Sequence, residues 1–266
     1  MNGMTRTLLL LILAVLAAIL AVVQVDNVKT HSMKMEKYDV SVINLKSAKR
    51  RLAMFKQCYE LTDISKTHSL IRIPGIGGKQ IPNIAELLSP KALNEVLTAE
   101  RVGHRVKHYQ LTRGAIGCYQ SHVKAWTALL ETDNSAALIF EDDAVMVADI
   151  GARISELQVP DDFDILLLGY FCNKCTDDKR IGFKKVTKFY GLHGYIVSRK
   201  FVEKFMRSPE SRTISKQIDA QLSDMAADGR IRVYAVPDQL AFQNNQEHGT
   251  SIQMPIKSVK GVDVWE

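Results

Sequence analysis

Cysteine is scarce in this sequence, which argues against a small fold held together by disulfides. The 266 residues include only four cysteines, Cys58, Cys118, Cys172 and Cys175, which are too few for a disulfide-stapled scaffold. Cys172 and Cys175 form a CxxC pair, but no second CxxC and no matching pair of histidines accompany it, which argues against a zinc site. We expect either a local disulfide or two free thiols in a loop there.

Several catalytic signatures are also missing. There is no internal repeat, and the glycine-rich run at residues 74–78 has neither the GxxxxGK[ST] pattern nor a full GxGxxG, so it favours a simple turn. Ser121 and His122 are adjacent, but no GxSxG elbow surrounds them, and neighbouring helix residues diverge by about 100°. Cys118 and His122 share a helix face without an indicated oxyanion site. A packed His122 near a ligand is therefore preferred to nucleophilic catalysis.

The composition is that of an ordinary globular protein with a mild excess of positive charge. Charged residues make up 24% of the chain, the net charge is +6 and the isoelectric point is about 9.0. The length suits one large domain with a sizeable core. The basicity fits an anionic small ligand or a membrane surface without specifying either, and we expect no nucleic-acid partner.

An apolar run at residues 8–25 is just long enough to span a bilayer as a helix. We predict an uncleaved signal-anchor at 1–25, although Ala17, Ala18 and Ala21 keep cleavage as a signal peptide open. A short polar stalk at 26–37 and a catalytic domain at 38–266 would follow.

Strand-like and helix-like patterns alternate through the rest of the chain, which predicts an α/β fold with a mainly parallel sheet. The first unit is a strand at 38–45 followed by a helix that opens with Arg50 and Arg51. For these two arginines, phosphate binding and a solvent-exposed helix face are both consistent with the sequence. Further strands are predicted at 68–73, 161–168, 184–190, 195–197 and 231–236, and helices at 84–102, 111–130, 198–206 and 213–228.

The sequence AALIFEDDA at residues 136–144 indicates a binding site for a divalent cation. An apolar run predicts a buried strand, and Glu141, Asp142 and Asp143 follow it at once. Ligands of open α/β sheets bind beyond the carboxyl ends of such strands. Adjacent carboxylates repel each other, a divalent cation relieves that repulsion, and hard cations prefer oxygen ligands. The simpler alternative is a solvated acidic turn.

The order of these motifs resembles glycosyltransferase family 25, which includes bacterial lipooligosaccharide galactosyltransferases and collagen galactosyltransferase domains. The similar blocks, each weak alone but specific in this order, are VINLKSAKRR, LTRGAIGCYQSHVKAW, LIFEDDA, FDILLLG, GYIVS, QIDAQL and VPDQLAFQ. The resemblance implies a GT-A-like fold. It also implies inverting transfer of a sugar, most often galactose from UDP-galactose, to a hydroxyl of a glycan, glycoprotein or glycolipid.

The resemblance further implies roles for individual residues. Glu141 and Asp143 would hold Mn²⁺ or Mg²⁺ in place of a DxD motif, and Asp219 would be the catalytic base, with Asp164 as the alternative. The residues expected to contact the donor are Val42, Asn44, Arg50, Ser121, His122 and Asp142.

Two other functions compete with this prediction. A metal-dependent nucleotidyltransferase also needs paired carboxylates on an α/β sheet, and a catalytically silent binding protein could keep the fold. With a spanning helix, a eukaryotic or viral chain would be a type II membrane protein facing the Golgi or endoplasmic reticulum lumen. A bacterial one would lie at the inner membrane.

Overall fold

The computed structural model describes residues 32–33, 37–106 and 110–244. Six α-helices lie in these ranges: α1 (Lys49–Glu60), α2 (Pro90–Val102), α3 (Arg113–Leu130), α4 (Ile150–Glu156), α5 (Arg199–Arg207) and α6 (Ile218–Ala227). The strands are β1 (Ser32–Met33), β2 (Tyr38–Leu45), β3 (Leu70–Gly75), β4 (Ala136–Glu141), β5 (Ala144–Met146), β6 (Val159–Pro160), β7 (Ile165–Asp178), β8 (Phe183–Ser198), β9 (Val233–Ala235) and β10 (Ala241–Gln243).

A six-stranded sheet forms the centre of the fold, in the order β3-β2-β4-β8-β7-β9. β2 is parallel to β3 and β4, and β7 is parallel to β9, whereas β8 is antiparallel to β4, β7 and β9. Five strands therefore share one direction and β8 opposes them. This mixed, mostly parallel sheet fits the α/β, GT-A-like part of the prediction.

The central strands are apolar on both faces because helices cover the sheet. Val42 and Leu138 on one face of the sheet, and Ile139 on the other, are fully buried in β2 and β4, as expected for strands inside a parallel sheet. Helix α3 buries Ile116 and Trp126, and the Trp126 ring packs edge-on against Phe205 of α5 at 4.9 Å between centroids. The three-and-four spacing of apolar residues in α3 thus places one side of this helix in the core.

The hairpin formed by β7 and β8 differs from the prediction. Two short strands were expected at 184–190 and 195–197, but β8 is one continuous strand that pairs with β7 through several register shifts. Polar, exposed residues dominate the outer half of β7, which hides the strand pattern in the sequence. Cys172 and Cys175 form a disulfide, as one of the two alternatives predicted, but within β7 and not in a loop.

The prediction of a membrane-spanning helix, and of a single-pass membrane protein, is contradicted. Within the ranges that the structure describes, no helix combines the length and apolar character needed to cross a bilayer. Even α3, with 18 residues, is amphipathic and includes Arg113 and Lys124. The predicted span at 8–25 and nearly all of the predicted stalk at 26–37 lie outside the described residues.

Candidate functional site

The carboxyl ends of β2, β3 and β4 meet at one edge of the sheet, because β2 lies between two parallel neighbours. In the register of these strands, Leu45 is beside Gly75 and Ile43 is beside Glu141. A cleft opens at this edge, as expected for a parallel sheet. It is lined by Ile43, Leu45, Arg51, Gly75, Ile76, Gly77, Gly78, Gly114, Cys118, Ser121, His122, Glu141 and Asp142.

The glycine loop at residues 75–78 packs directly on the backbone of α3. Ile76 N donates to Ser121 Oγ at 2.8 Å, and Ser121 Oγ donates to Gly117 O at 2.6 Å. A Cβ atom at Gly117 would lie 2.3 Å from Ile76 O, and one at Gly78 would lie 1.8 Å from Arg113 O. Only glycine allows this approach. The turn expected from the sequence therefore also forms a wall of the cleft.

Asp142 is held by two partners at the base of the cleft. Asn44 Nδ2 donates to Asp142 Oδ2 at 2.6 Å, and Arg51 forms a close ion pair with Asp142 Oδ1. Arg72 Nε donates to Asn44 Oδ1 at 3.0 Å and extends the network to β3. Burial raises the pKa of the Asp142 carboxyl, although Arg51 and Asn44 act in the opposite direction. Both carboxylate oxygens are thus engaged within the protein.

Asp143 keeps one oxygen without a partner. Its Oδ2 lies 3.3 Å from Arg51 Nη2 and accepts a bond from Gln243 Nε2 at 3.2 Å. Its Oδ1 is buried and has no hydrogen-bond partner among the described residues. A buried oxygen of this kind is costly unless it binds something. The lone pairs of Asp143 Oδ1 therefore remain available for a cation.

Glu141 belongs to a hydrogen-bond chain that fixes the His122 ring. His122 Nε2 lies 3.1 Å from Glu141 Oε1, and His122 Nδ1 lies 2.8 Å from Tyr195 Oη. Trp126 Nε1 also donates to Tyr195 Oη at 2.8 Å. The simplest assignment has the Tyr195 hydroxyl donate to Nδ1 and the Nε2–H of a neutral His122 donate to Glu141. Burial raises the pKa of Glu141, and the His122 bond counteracts part of that rise.

Cys118 joins His122 and Glu141 in a compact cluster. One ligand atom from each residue lies within 4.8 Å of the others, and no second such group of three occurs among the described residues. A thiol and an imidazole favour softer cations than Mn²⁺. Burial raises the pKa of the Cys118 thiol well above its usual value, and nearby carboxylates raise it further. The raised pKa disfavours the thiolate form that a nucleophilic cysteine requires.

Asp219 reaches the same edge through the reversed strand β8. Because β8 is antiparallel to β4, residues before Gly194 extend past the end of β4. Gly191 N donates to Asp219 Oδ2 at 3.1 Å, and Ala220 N donates to Asp219 Oδ1 at 2.7 Å. Burial raises the pKa of Asp219, and its charge interacts with His122. The structure thus brings Asp219 near the cleft.

Asp164, the alternative base, lies elsewhere. It precedes the first residue of β7, and β7 runs in the same direction as β4, so Asp164 is at the opposite edge of the sheet. Its Oδ2 accepts a hydrogen bond from Arg232 N at 2.7 Å. Asp164 therefore ties the sheet to the segment before β9 and does not face the cleft.

The other predicted donor contacts divide into two groups. Ser121, His122 and Asp142 line the cleft, and Asn44 lies just below it, bonded to Asp142. Val42 is fully buried inside β2, and Arg50 is exposed on α1, so neither lines the cleft. Arg51 does so instead of Arg50. The sequence marked both arginines as candidates, but it gave no signal that chose between them.

Comparison with known proteins identifies one matching family. A family model described as glycosyltransferase family 25 (LPS biosynthesis protein) matches residues 37–220, about two-thirds of the chain. A search of curated protein sequences found no match.

Solved structures with detectable similarity include A197 from STIV, with a TM-score of 0.39, 13% identity, and coverage of 77% of this chain and 83% of that one. The inositol-1-phosphate CTP transferase from T. maritima has a TM-score of 0.41, 9% identity, and coverage of 81% and 92%. TarS from S. aureus has a TM-score of 0.37, 11% identity, and coverage of 79% and 37%. These similarities are too distant to support an argument about activity.

Proposed function

The chain belongs to glycosyltransferase family 25, and we propose that it transfers a hexose, with galactose as the first choice, from a UDP-sugar to a hydroxyl group of a glycan, glycoprotein or glycolipid. The observation that carries this proposal is the cleft at the carboxyl edge of β2, β3 and β4. There Glu141 and Asp142 of the acidic triplet, the glycine loop and His122 come together, and Asp143 is joined to them through Arg51.

The donor would bind between the glycine loop and the acidic triplet. Gly75–Gly78 give the backbone close access to a diphosphate, and the Arg51 guanidinium lies at the same edge. Arg51 is paired with Asp142, which holds it in position. We therefore assign Arg51 the phosphate-facing role first given to Arg50. Asn44, Ser121 and His122 would hold the rest of the donor.

A divalent cation fits this site through its acidic oxygens. Asp143 has a buried, unpartnered Oδ1 and Glu141 is two residues away at the end of β4, whereas Asp142 is occupied by Arg51 and Asn44. We assign Asp143 and Glu141 as ligands of Mn²⁺ or Mg²⁺. When bound, such a cation would act as a Lewis acid that neutralises charge on the departing diphosphate.

Asp219 would act as the general base. In an inverting reaction the acceptor oxygen attacks the anomeric carbon, the bond to the UDP oxygen breaks, and a carboxylate takes the hydroxyl proton. The raised pKa of Asp219 brings its basicity closer to neutral pH than that of an ordinary aspartate. We therefore expect the acid limb of the pH–rate profile to lie above the usual aspartate range.

The test is UDP release by the full chain from a panel of UDP-sugars, with Mn²⁺ and with chelator. We expect release from one sugar, lost with chelator and in Asp143→Asn. We also expect Asp219→Asn to lower kcat for transfer by about 10²- to 10⁴-fold without weakening donor binding. Donor release that is unaffected by both chelator and Asp143→Asn would overturn the metal assignment. Donor binding without release or transfer under any condition would indicate a silent binding protein.

A further inference from the structure

A second groove lies next to the turn of α6 that carries Asp219. It runs between the start of α2, the β7–β8 hairpin and α6, and its volume of about 810 Å³ falls within the roughly 300–1,000 Å³ usual for small-molecule sites. Its lining is Ser89, Lys91, Glu95, Lys174, Thr187, Lys188, Tyr190, Ser215, Lys216, Ala220, Ser223, Asp224 and Ala227. We call it the lysine groove.

The lysine groove is lined by chain neighbours of the proposed base and of its hydrogen-bond partner. Tyr190 and Ala220 line it, and each is the chain neighbour of a group in the Gly191–Asp219 hydrogen bond. Asp219 also interacts electrostatically with His122 and Cys118, which line the donor cleft. Asp219 is therefore close to residues of both the lysine groove and the donor cleft.

The charges of the lysine groove favour an anion. Four lysines face two acidic residues, and one of those acids, Asp224, is already ion-paired with Lys216. Lys91, Lys174 and Lys188 are exposed and form no ion pair with any residue that the structure describes. With four lysines and two acidic residues, the lining carries a net charge of +2, and such a groove attracts phosphate and carboxylate groups.

We propose that the lysine groove binds the acceptor, and that this acceptor is an oligosaccharide carrying phosphate or carboxylate groups beside the sugar that receives the hexose. The identification of the bound glycan as an acceptor rests on the proposed transferase function. Its anionic character rests on the groove alone, so the two can be tested separately.

The first experiment measures binding without catalysis. Saturation-transfer NMR on the full chain would compare galactose and glucose with their 6-phosphates and with glucuronic acid. The variant Lys91→Gln/Lys174→Gln/Lys188→Gln is set against a matched control, Lys56→Gln/Lys66→Gln/Lys200→Gln, which removes three exposed lysines outside the groove. We expect wild type and control to prefer the anionic sugars by tenfold or more. In the groove variant that preference should fall to about twofold or less, and in wild type it should weaken as salt is added.

Equal preference for anionic sugars in the groove variant and the control would overturn the proposal. So would a groove variant that keeps its glycan binding but no longer binds vesicles containing phosphatidylserine, because the lysines would then face a membrane.

The second experiment separates this proposal from the proposed function. UDP release in the absence of acceptor reports the donor cleft alone, and the groove variant should leave it unchanged. Stimulation of release by an anionic sugar should be reduced in the groove variant and retained in the control. Binding of anionic sugars without UDP release from any UDP-sugar would refute the transferase and leave the lysine groove as an anionic glycan site. Release stimulated equally by neutral and anionic sugars would refute the groove assignment and leave the transferase.

Discussion

Asp219 illustrates how a reactive group can oppose folding. Burial raises its pKa in the folded chain above the value of about 3.9 expected when unfolded. The protonated form of Asp219 is therefore favoured in the folded state. Its stabilisation of the folded state is lost as the pH rises through the folded pKa. We expect the melting temperature of Asp219→Asn to rise relative to that of wild type between pH 4 and pH 7, because asparagine stays neutral, whereas the loss of one of the two acceptor oxygens costs the same at both pH values.

Thermal melts of both proteins between pH 4 and 7 would check this. Asp178 supplies a control of opposite sign, since hydrogen bonds from Arg180 and Lys185 lower its pKa. The stabilisation that ionised Asp178 gives to the folded state is present above its unfolded pKa and is lost as the pH falls through its folded pKa. The variant Asp178→Asn should therefore not gain stability at pH 7. A difference in melting temperature between Asp219→Asn and wild type that does not shift in favour of the variant from pH 4 to pH 7 would contradict the prediction.

The neighbours Asp142 and Asp143 should respond differently to the same substitution. Asp142→Asn removes one of the two carboxylates that pair with Arg51 and should lower the free energy of unfolding by about 1 to 3 kcal/mol, the usual loss when a hydrogen bond between charged groups is removed. Asp143→Asn should leave that energy unchanged or slightly raised, because an adjacent negative charge disappears, while Mn²⁺ binding is lost. Denaturant titration and calorimetric Mn²⁺ titration separate the two. Loss of stability in Asp143→Asn with Mn²⁺ binding intact would reverse the assignments.

The sequence predicted which residues lie near the site, but it did not predict the partner or the role of each one. Three successive carboxylates at a strand end indicated a metal, and of these Glu141 and Asp142 line the cleft while Asp143 contacts Arg51 and Gln243. Their partners could not be read from the sequence: Asn44 lies 98 residues from Asp142, and Arg51 lies 91 residues from it. The choice of Arg51 over Arg50 depends on which side of α1 faces β4, a tertiary property.

At the scale of elements, the contact between α3 and the glycine loop gives a sharp prediction. Gly117→Ala would place Cβ 2.3 Å from Ile76 O, so the loop must retreat. We expect the free energy of unfolding to fall by about 1 to 3 kcal/mol and the affinity for a UDP-sugar to fall with it, because the loop lines the donor cleft. Denaturant titration and donor titration of the same variant provide the measurements.

Gly103 is the matched control for this substitution. It ends α2 with φ of +73°, and a Cβ there meets nothing within 4 Å. Gly103→Ala should cost about 1 kcal/mol through backbone strain and leave donor affinity unchanged. If Gly117→Ala lost stability but bound the donor normally, the glycine loop would be structural only.

The elements with local patterns were well predicted, and those held by distant contacts were not. The strand at 38–45 and the helix at 111–130 match β2 and α3 to within two residues, since their apolar spacing is set by the core. The helix expected at 213–228 begins only at Ile218. Backbone bonds from Ile214 N to Leu87 O and from Ser89 N to Ile214 O hold the earlier residues extended. Such a pairing across the chain has no signal in local periodicity.

At the scale of the whole molecule, the reversal of β8 joins the two halves of the site. Parallel strands β2 and β4 deliver Asn44 and the acidic triplet to one edge. Only a strand of opposite direction beside β4 could bring Gly191, and with it Asp219, to the same edge. The donor side and the proposed base therefore depend on one continuous sheet. A ligand that bridges them should stabilise the whole fold.

This coupling predicts a concerted thermal shift. A ligand that binds only the folded state at a hundred times its dissociation constant adds about 2.7 kcal/mol, which corresponds to a rise in Tm of roughly 5 to 10 °C for a domain of this size. We expect this rise with Mn²⁺ and UDP together, and a much smaller one with either alone, because the diphosphate and the acidic oxygens would share the cation. Differential scanning calorimetry of wild type and Asp143→Asn measures it, and the variant should show no joint effect. A joint rise of equal size in both proteins would mean that UDP is held without Asp143.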